Sequence, residues 1–191
     1  MTDRRLAIYQ AASRLFEEAG YHDTSVEDIA TAAGLSKPSL YHYISGKQDL
    51  LYAIARETIQ AFHDDLDRLG PMPVSERLVL WARQHALRMA AERETVAVLL
   101  REGRHLTGDE QRMVAELADG YVLKVQRMIE EGVAERVFSV ADCRVAALHL
   151  LGALNWMNTW YRPGGRLGAE EIADQVAEMA LASLQCASSR V

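Results

Sequence analysis

Cysteine, proline and phenylalanine are scarce in this 191-residue chain, with two, four and three copies. The two thiols, Cys143 and Cys186, form no CxxC pair and no Cys/His metal spacing, so a disulfide framework and a zinc module are excluded. Both are expected as packed or free thiols. No apolar run approaches the roughly 20 residues of a membrane span. The polar start MTDRRLAIYQ lacks the apolar stretch of a signal peptide, so a cytoplasmic protein away from the membrane is expected. There is no glycine-rich phosphate loop, no HExxH and no GxSxG, and His85, His105 and His149 have no evident metal-ligand partners. An enzyme and a bound cofactor are therefore not expected. Alternation with period two is also missing, which removes strands.

What remains is helical. Hydrophobic residues make up 49% and charged residues 25%, a globular balance with enough length for a small module and a larger helical domain. Ile8, Ala12, Leu15, Phe16 and Ala19 recur at helical spacing, predicting a first helix from about Asp3 to Ala19, stopped by Gly20. Thr24 and Glu27 have capping-box spacing and predict a second helix from Ser25, with Val26, Ile29, Ala30 and Ala33 on its apolar face. Gly34 stops it. Ser36 caps a third helix carrying Pro38 in its first turn, and Leu40 and Ile44 face inward.

This leaves Lys37, Ser39, Tyr41, His42 and Tyr43 pointing outward on a short helix after a tight turn. Rings, hydroxyls and a cation on such a face suit a groove lined by base edges and phosphates. The formal net charge of -6 argues mildly against a DNA partner. The local field matters more, and from Gly34 to Gln48 there are Lys37 and Lys47 but no carboxylate.

Further helices are expected from Ser45 to Arg68, from Ser75 to Met89 and from Glu92 to Arg104. A seventh follows Thr107 to about Gly132, an eighth runs from Ser139 to Tyr161, and a ninth from Ala169 to Leu184. The domain boundary is placed at Gln48: residues 1–48 form a three-helix DNA-binding domain and 49–191 a ligand-binding and dimerisation domain. The second part holds Trp81, Met89, Met113, Tyr121, Met128, Trp156 and Trp160, interleaved with polar His85, Gln126, Asn155 and Asn158. Such a set is either plain core or the lining of an apolar cavity with a few directional groups. Small residues at Ala146, Gly152, Ala153, Ala173, Ala177 and Ala180, beside Val145, Leu148, Ile172, Val176 and Met179, predict a close helix seam.

The segments GYHDTSVEDIA and GLSKPSLYHYISGKQDLL, within Leu6 to Leu51, resemble the DNA-binding domain of the TetR family of bacterial transcriptional regulators. The resemblance implies an all-α fold of about nine helices and a ligand-responsive repressor that binds a palindromic duplex operator as a homodimer. It also implies DNA contacts at Ser25, Ser36, Lys37, Pro38, Ser39, Tyr41 and His42, with Thr24, Tyr43 and Lys47 clamping the backbone. The seam would then be a four-helix bundle formed by the last two helices of each subunit. WYRPGGRL, at Trp160 to Leu167, is similar to a segment of members that sense acyl-CoA or other lipid-derived ligands. That implies a small hydrophobic or acyl-CoA ligand, with phosphates held by some of Arg88, Arg93, Arg101, Arg104 and Arg162. The rival reading is an all-helical carrier or enzyme with a vestigial DNA-binding domain.

Overall fold

The structure is a computed structural model and describes residues 3–185. Cys186 lies outside the described residues. Among these the chain is all helical: α1 (Asp3–Ala19), α2 (Val26–Ala32), α3 (Lys37–Leu40), α4 (Lys47–Asp67), α5 (Val74–Ala91), α6 (Arg93–Glu102), a 3₁₀ turn (Gly103–His105), α7 (Gly108–Ala134), α8 (Cys143–Asn155), α9 (Met157–Trp160) and α10 (Ala169–Gln185). The eighth helix expected from Ser139 starts later, because the Asp142 carboxylate accepts the Val145 N–H at 2.9 Å and caps the chain there. It also breaks at Trp156, whose carbonyl takes a tighter i to i+3 bond from Thr159 N, so α9 is a separate short helix.

The helices sort into two compact units, the first drawn from residues 1–60 with 92–117 and the second from 61–91 with 118–191. Packing therefore does not divide the chain at Gln48. Val98 of α6 and Leu106 join the buried cluster of Ile8, Phe16, Ile29, Leu40, Leu50 and Leu51, so the core of the first unit needs residues distant in sequence. Both α4 and α7 pass from one unit into the other.

In the first unit, α1 supplies Ile8, Ala12 and Phe16 to this core, each fully buried. Gly34 follows α2 at φ 65°, a conformation that a Cβ disfavours. There the Leu35 N–H reaches back to Ala30 O at 2.8 Å, closing α2 and turning the chain into α3.

In the second unit, α10 lies along α5. Ala173, Ala177, Ala180 and Leu184 are buried at alternating spacings of four and three, and the buried residues of α5 include Leu78, Trp81, Ala82, His85 and Met89. The rim of this seam is ionic: Arg83 Nε donates to Asp174 Oδ1 at 2.6 Å and its other arm pairs with Glu170. Four of the seam residues expected to meet a second copy, Ile172, Ala173, Ala177 and Ala180, are thus buried within one subunit. The carbonyl of Gly132 near the end of α7 accepts the N–H groups of Val137 and Phe138, and the Phe138 ring lies directly over the glycine.

Candidate DNA-reading face and polar core

The reading face is assembled by local caps. Ser25, not Thr24, is the N-cap of α2: its hydroxyl accepts the Asp28 N–H at 3.1 Å, while Asp28 Oδ2 accepts the Ser25 N–H at 2.9 Å. Bonds from the Ser25 hydroxyl and main chain hold the Asp28 carboxyl below its usual range. The expected Thr24–Glu27 box fails because Thr24 is 3% exposed and donates its hydroxyl to Gly20 O and Leu15 O at 2.9 and 3.2 Å, stitching the end of α1. Buried in this way, Thr24 supports the turn. Ser36 caps α3, accepting the Ser39 N–H at 3.3 Å, with Pro38 in the first turn as expected.

Outward from this scaffold stand Tyr41, 48% exposed, and His42, also exposed. Lys37 is exposed and sits 3.5 Å from the exposed Glu27 carboxylate, a surface pair that contributes under about 1 kcal/mol and yields readily to a stronger anion. Pro38 is exposed and Ser39 half-buried. Tyr43 packs partly against the core.

Lys47 is held by main-chain carbonyls. Its ammonium donates to Tyr21 O at 2.6 Å, Thr24 O at 3.0 Å and His22 O at 3.1 Å, and lies 4.5 Å from the centre of the Tyr21 ring. An ammonium has three donors, and all three are engaged by the protein. Sequence spacing carries no sign of this, because the partners lie on the turn between α1 and α2.

In the second unit a hydrogen-bonded chain runs through the apolar interior. Trp81 Nε1 donates to Tyr121 Oη at 2.9 Å, the same hydroxyl is 3.0 Å from His85 Nδ1, and His85 Nε2 is 3.2 Å from Asn155 Oδ1. Indole only donates, so the Tyr121 O–H is free to donate to His85 Nδ1, and the imidazole proton sits on Nε2, facing the Asn155 carbonyl. The chain is satisfied with a neutral ring. Burial pushes the His85 pKa down to about 4, and burial likewise raises that of Tyr121. The Phe62 ring stacks on His85 at 4.4 Å.

Of the expected ligand residues, Trp81, His85, Tyr121 and Asn155 are brought together in this chain, and Met89 and Met128 are buried in the same unit. Three are not part of that interior. Met113 belongs to the first unit and is 45% exposed, with Tyr52 Oη 3.7 Å from its sulfur, while Trp156 and Trp160 are 63% and 45% exposed. Large apolar side chains at the end of α8 and on α9 face outward because the inner positions are taken by Leu154 and Met157. The arginine rim is not assembled as such: Arg88 pairs with Asp65 at 2.6 Å, Arg93 with Glu17 at 3.0 Å, and Arg162 donates to Thr159 O and Tyr161 O. The WYRPGGRL segment lines, with α10, an open cleft of about 560 Å³ whose walls include Trp160, Arg166, Ile172, Val176 and Met179.

A helix-turn-helix with completed caps and an outward ring face, joined to a larger helical unit, matches known proteins along most of the chain. Residues 8–54 match the family model described as bacterial regulatory proteins, tetR family, and residues 71–184 match the tetracyclin repressor-like C-terminal domain. The chain belongs to the TetR family. It is a transcriptional regulator of that family, not an enzyme. The transcriptional repressor KstR2 of Rhodococcus jostii (strain RHA1) is 30% identical over 189 residues, covering 95% of this chain and 91% of its own. The TetR-family regulator PfmR from Thermus thermophilus is 30% identical with a TM-score of 0.85, covering 92% of this chain and 97% of its own. AibR, solved in complex with isovaleryl coenzyme A and operator DNA, is 29% identical with a TM-score of 0.83, covering 93% of this chain and 97% of its own. Among the described residues, no helix is long and apolar enough to cross a membrane.

Proposed function

We propose that the protein is a cytoplasmic, homodimeric repressor that reads a palindromic operator through α3 and is released by a small hydrophobic ligand, with acyl-CoA thioesters as the leading class. The observation that carries the DNA reading is the exposed pair Tyr41 and His42 in the turn that closes α3, a helix whose N-cap is satisfied by its own Ser36, so these outward groups are open to a groove. Lys37, Pro38, Ser39, Tyr41 and His42 meet bases and nearby phosphates, while Ser25 and Ser36 shape the helix starts and offer the N–H groups around them. Tyr43 flanks the backbone. Thr24 and Lys47 act from beneath, by holding the turn that enters α2. Residues 1–48 carry the DNA contacts, and the rest of the chain supplies ligand binding and dimerisation.

Dimerisation is supported by apolar side chains left outside on α8 and α10: Val145 at 63%, Leu148 at 48% and Met179 at 69% exposure, with Trp156 beside them. Ligand sensing is supported by the polar chain at His85 within an otherwise apolar core, and by the similarity to AibR, solved with a coenzyme A thioester. A ligand releases DNA only through its preference for the non-binding conformation, and a tenfold loss of operator affinity needs about 1.4 kcal/mol of coupling.

The test is operator binding by the wild type and Tyr41→Ala. The variant should bind its selected duplex about tenfold more weakly with an unchanged melting temperature, since an exposed ring carries no fold stability. Equal isotherms would remove α3 as the reader. Titrating acyl-CoA thioesters and the matching free acids against the complex then decides the ligand class: release by both alike would discard the thioester.

A further inference from the structure

Within the first unit, the turn between α1 and α2 meets the 3₁₀ turn after α6 through two imidazoles. His22 Nε2 and His105 Nδ1 stand 3.1 Å apart, and the rings meet nearly edge-on at 4.3 Å. The other nitrogen of His105 lies 3.5 Å from Glu102 Oε2, the oxygen that also accepts the Tyr21 N–H at 3.2 Å. The Tyr21 ring, buried beside Phe16, stacks on His105 at 5.5 Å with planes 12° apart. Proton positions follow from donor and acceptor chemistry. A carboxylate only accepts, so His105 carries its proton on Nε2, its Nδ1 is the acceptor, and His22 donates Nε2–H.

We infer that His22, His105 and Glu102 are positioning residues for DNA reading: together they tie the start of α2 to the end of α6. This rests on the reading of α3 as the DNA-contacting helix. Tyr21 and His22 lie just before Thr24 and Ser25, the support and the cap of α2, so the orientation of the reading helices depends on where this turn is held. Lys47 grips its carbonyls from one side and the His105–Glu102 pair holds a ring and an N–H from the other.

The experiment uses the full chain and a duplex that the wild type selects from a random-sequence pool at about pH 7.5, with His22→Leu and His22→Gln. A glutamine amide nitrogen stands in for imidazole Nε2 as a donor and does not titrate. His22→Leu should bind about fivefold more weakly, the scale of one ordinary hydrogen bond, and His22→Gln should recover to within about twofold of wild type. Deuterium uptake at the Tyr21 and His22 amides, compared at one pH, should be faster in His22→Leu and restored in His22→Gln. Equal affinities for wild type and His22→Leu, or no rescue by glutamine, would overturn the inference. Should the wild type select no duplex, the reading of α3 fails by itself, and amide uptake alone decides the tie: equal uptake in all three proteins overturns it.

Discussion

Replacing Lys47 by methionine keeps the length of the side chain and removes its ammonium. In the TetR resemblance this lysine clamps a phosphate, whereas in the structure its three donors are engaged by Tyr21 O, His22 O and Thr24 O. The two roles give different measurements. Hydrogen bonds from a charged donor contribute about 1.5–3 kcal/mol each in mutational series, and less when half-exposed and mutually dependent. Here Tyr21 O and Thr24 O are part-buried acceptors and His22 O is more exposed, so rehydration recovers some of the loss. A net cost of about 2–3 kcal/mol follows, lowering the melting temperature by about 5–10 °C in a chain of this size. Operator affinity should fall because the turn before α2 loosens, while the slope of log affinity against log salt stays unchanged. Losing a phosphate contact would instead reduce that slope by about one unit and leave the melting temperature alone. Calorimetry and binding at four salt concentrations separate these outcomes. An unchanged melting temperature with a shallower salt slope would refute the internal role.

Gly132→Ala should be costly for a reason of space: its Cβ would collide with Cδ2 of the buried Phe138 ring, so a loss of about 1–3 kcal/mol in chemical denaturation is expected, and a stability equal to wild type would contradict the packing. His85 links stability to pH. Its folded pKa lies at about 4, below the ordinary 6.5, so its contribution is fully present above about pH 6.5 and is lost as pH falls toward 4. The unfolded chain binds the extra proton, so stability rises with pH across that window, by roughly 3 kcal/mol in total. His85→Gln should flatten this part of the urea-denaturation profile, and a slope equal to wild type would show that the ring is not held neutral. For the subunit interface, Met179→Glu places a charge on the outward face of α10 and should yield a folded monomer by sedimentation. Ala180→Glu buries the charge against α5 and should unfold the subunit, at a cost of several kcal/mol. A Met179→Glu protein that stays dimeric would move the interface elsewhere.

Features completed within a few residues were legible in the sequence. Ser36, Pro38 and Gly34 act on neighbours one to five positions away, and the helix starts and stops they encode stand where spacing puts them. The same local logic chose Thr24 over Ser25, because both can cap. The choice was made by a tertiary event, since Thr24 is drawn inward to the carbonyls that end α1 and leaves the cap to the next residue. Lys47 shows the limit more sharply. A basic residue opening a helix is compatible with a phosphate or with main-chain carbonyls, and its partners lie 23 to 26 positions away.

The alanines of α10 carry the same lesson for interfaces. Small residues permit close approach, but they do not name the partner. Ala173, Ala177 and Ala180 are buried within the subunit on a helix that packs along α5, so in the proposed dimer the second copy would meet the neighbouring stripe, marked by Met179. Size selected the stripe that touches closely, whereas exposure of a large apolar side chain selects the stripe still wanting a cover. Only the second can report on a dimer. Trp156 and Trp160 belong with it: they were grouped with Trp81 by composition, yet Trp81 ends its indole N–H on Tyr121 inside the core and the other two present their rings outward. A cavity and an interface draw on the same side chains, and what separates them is whether a polar partner such as Tyr121 waits in the interior.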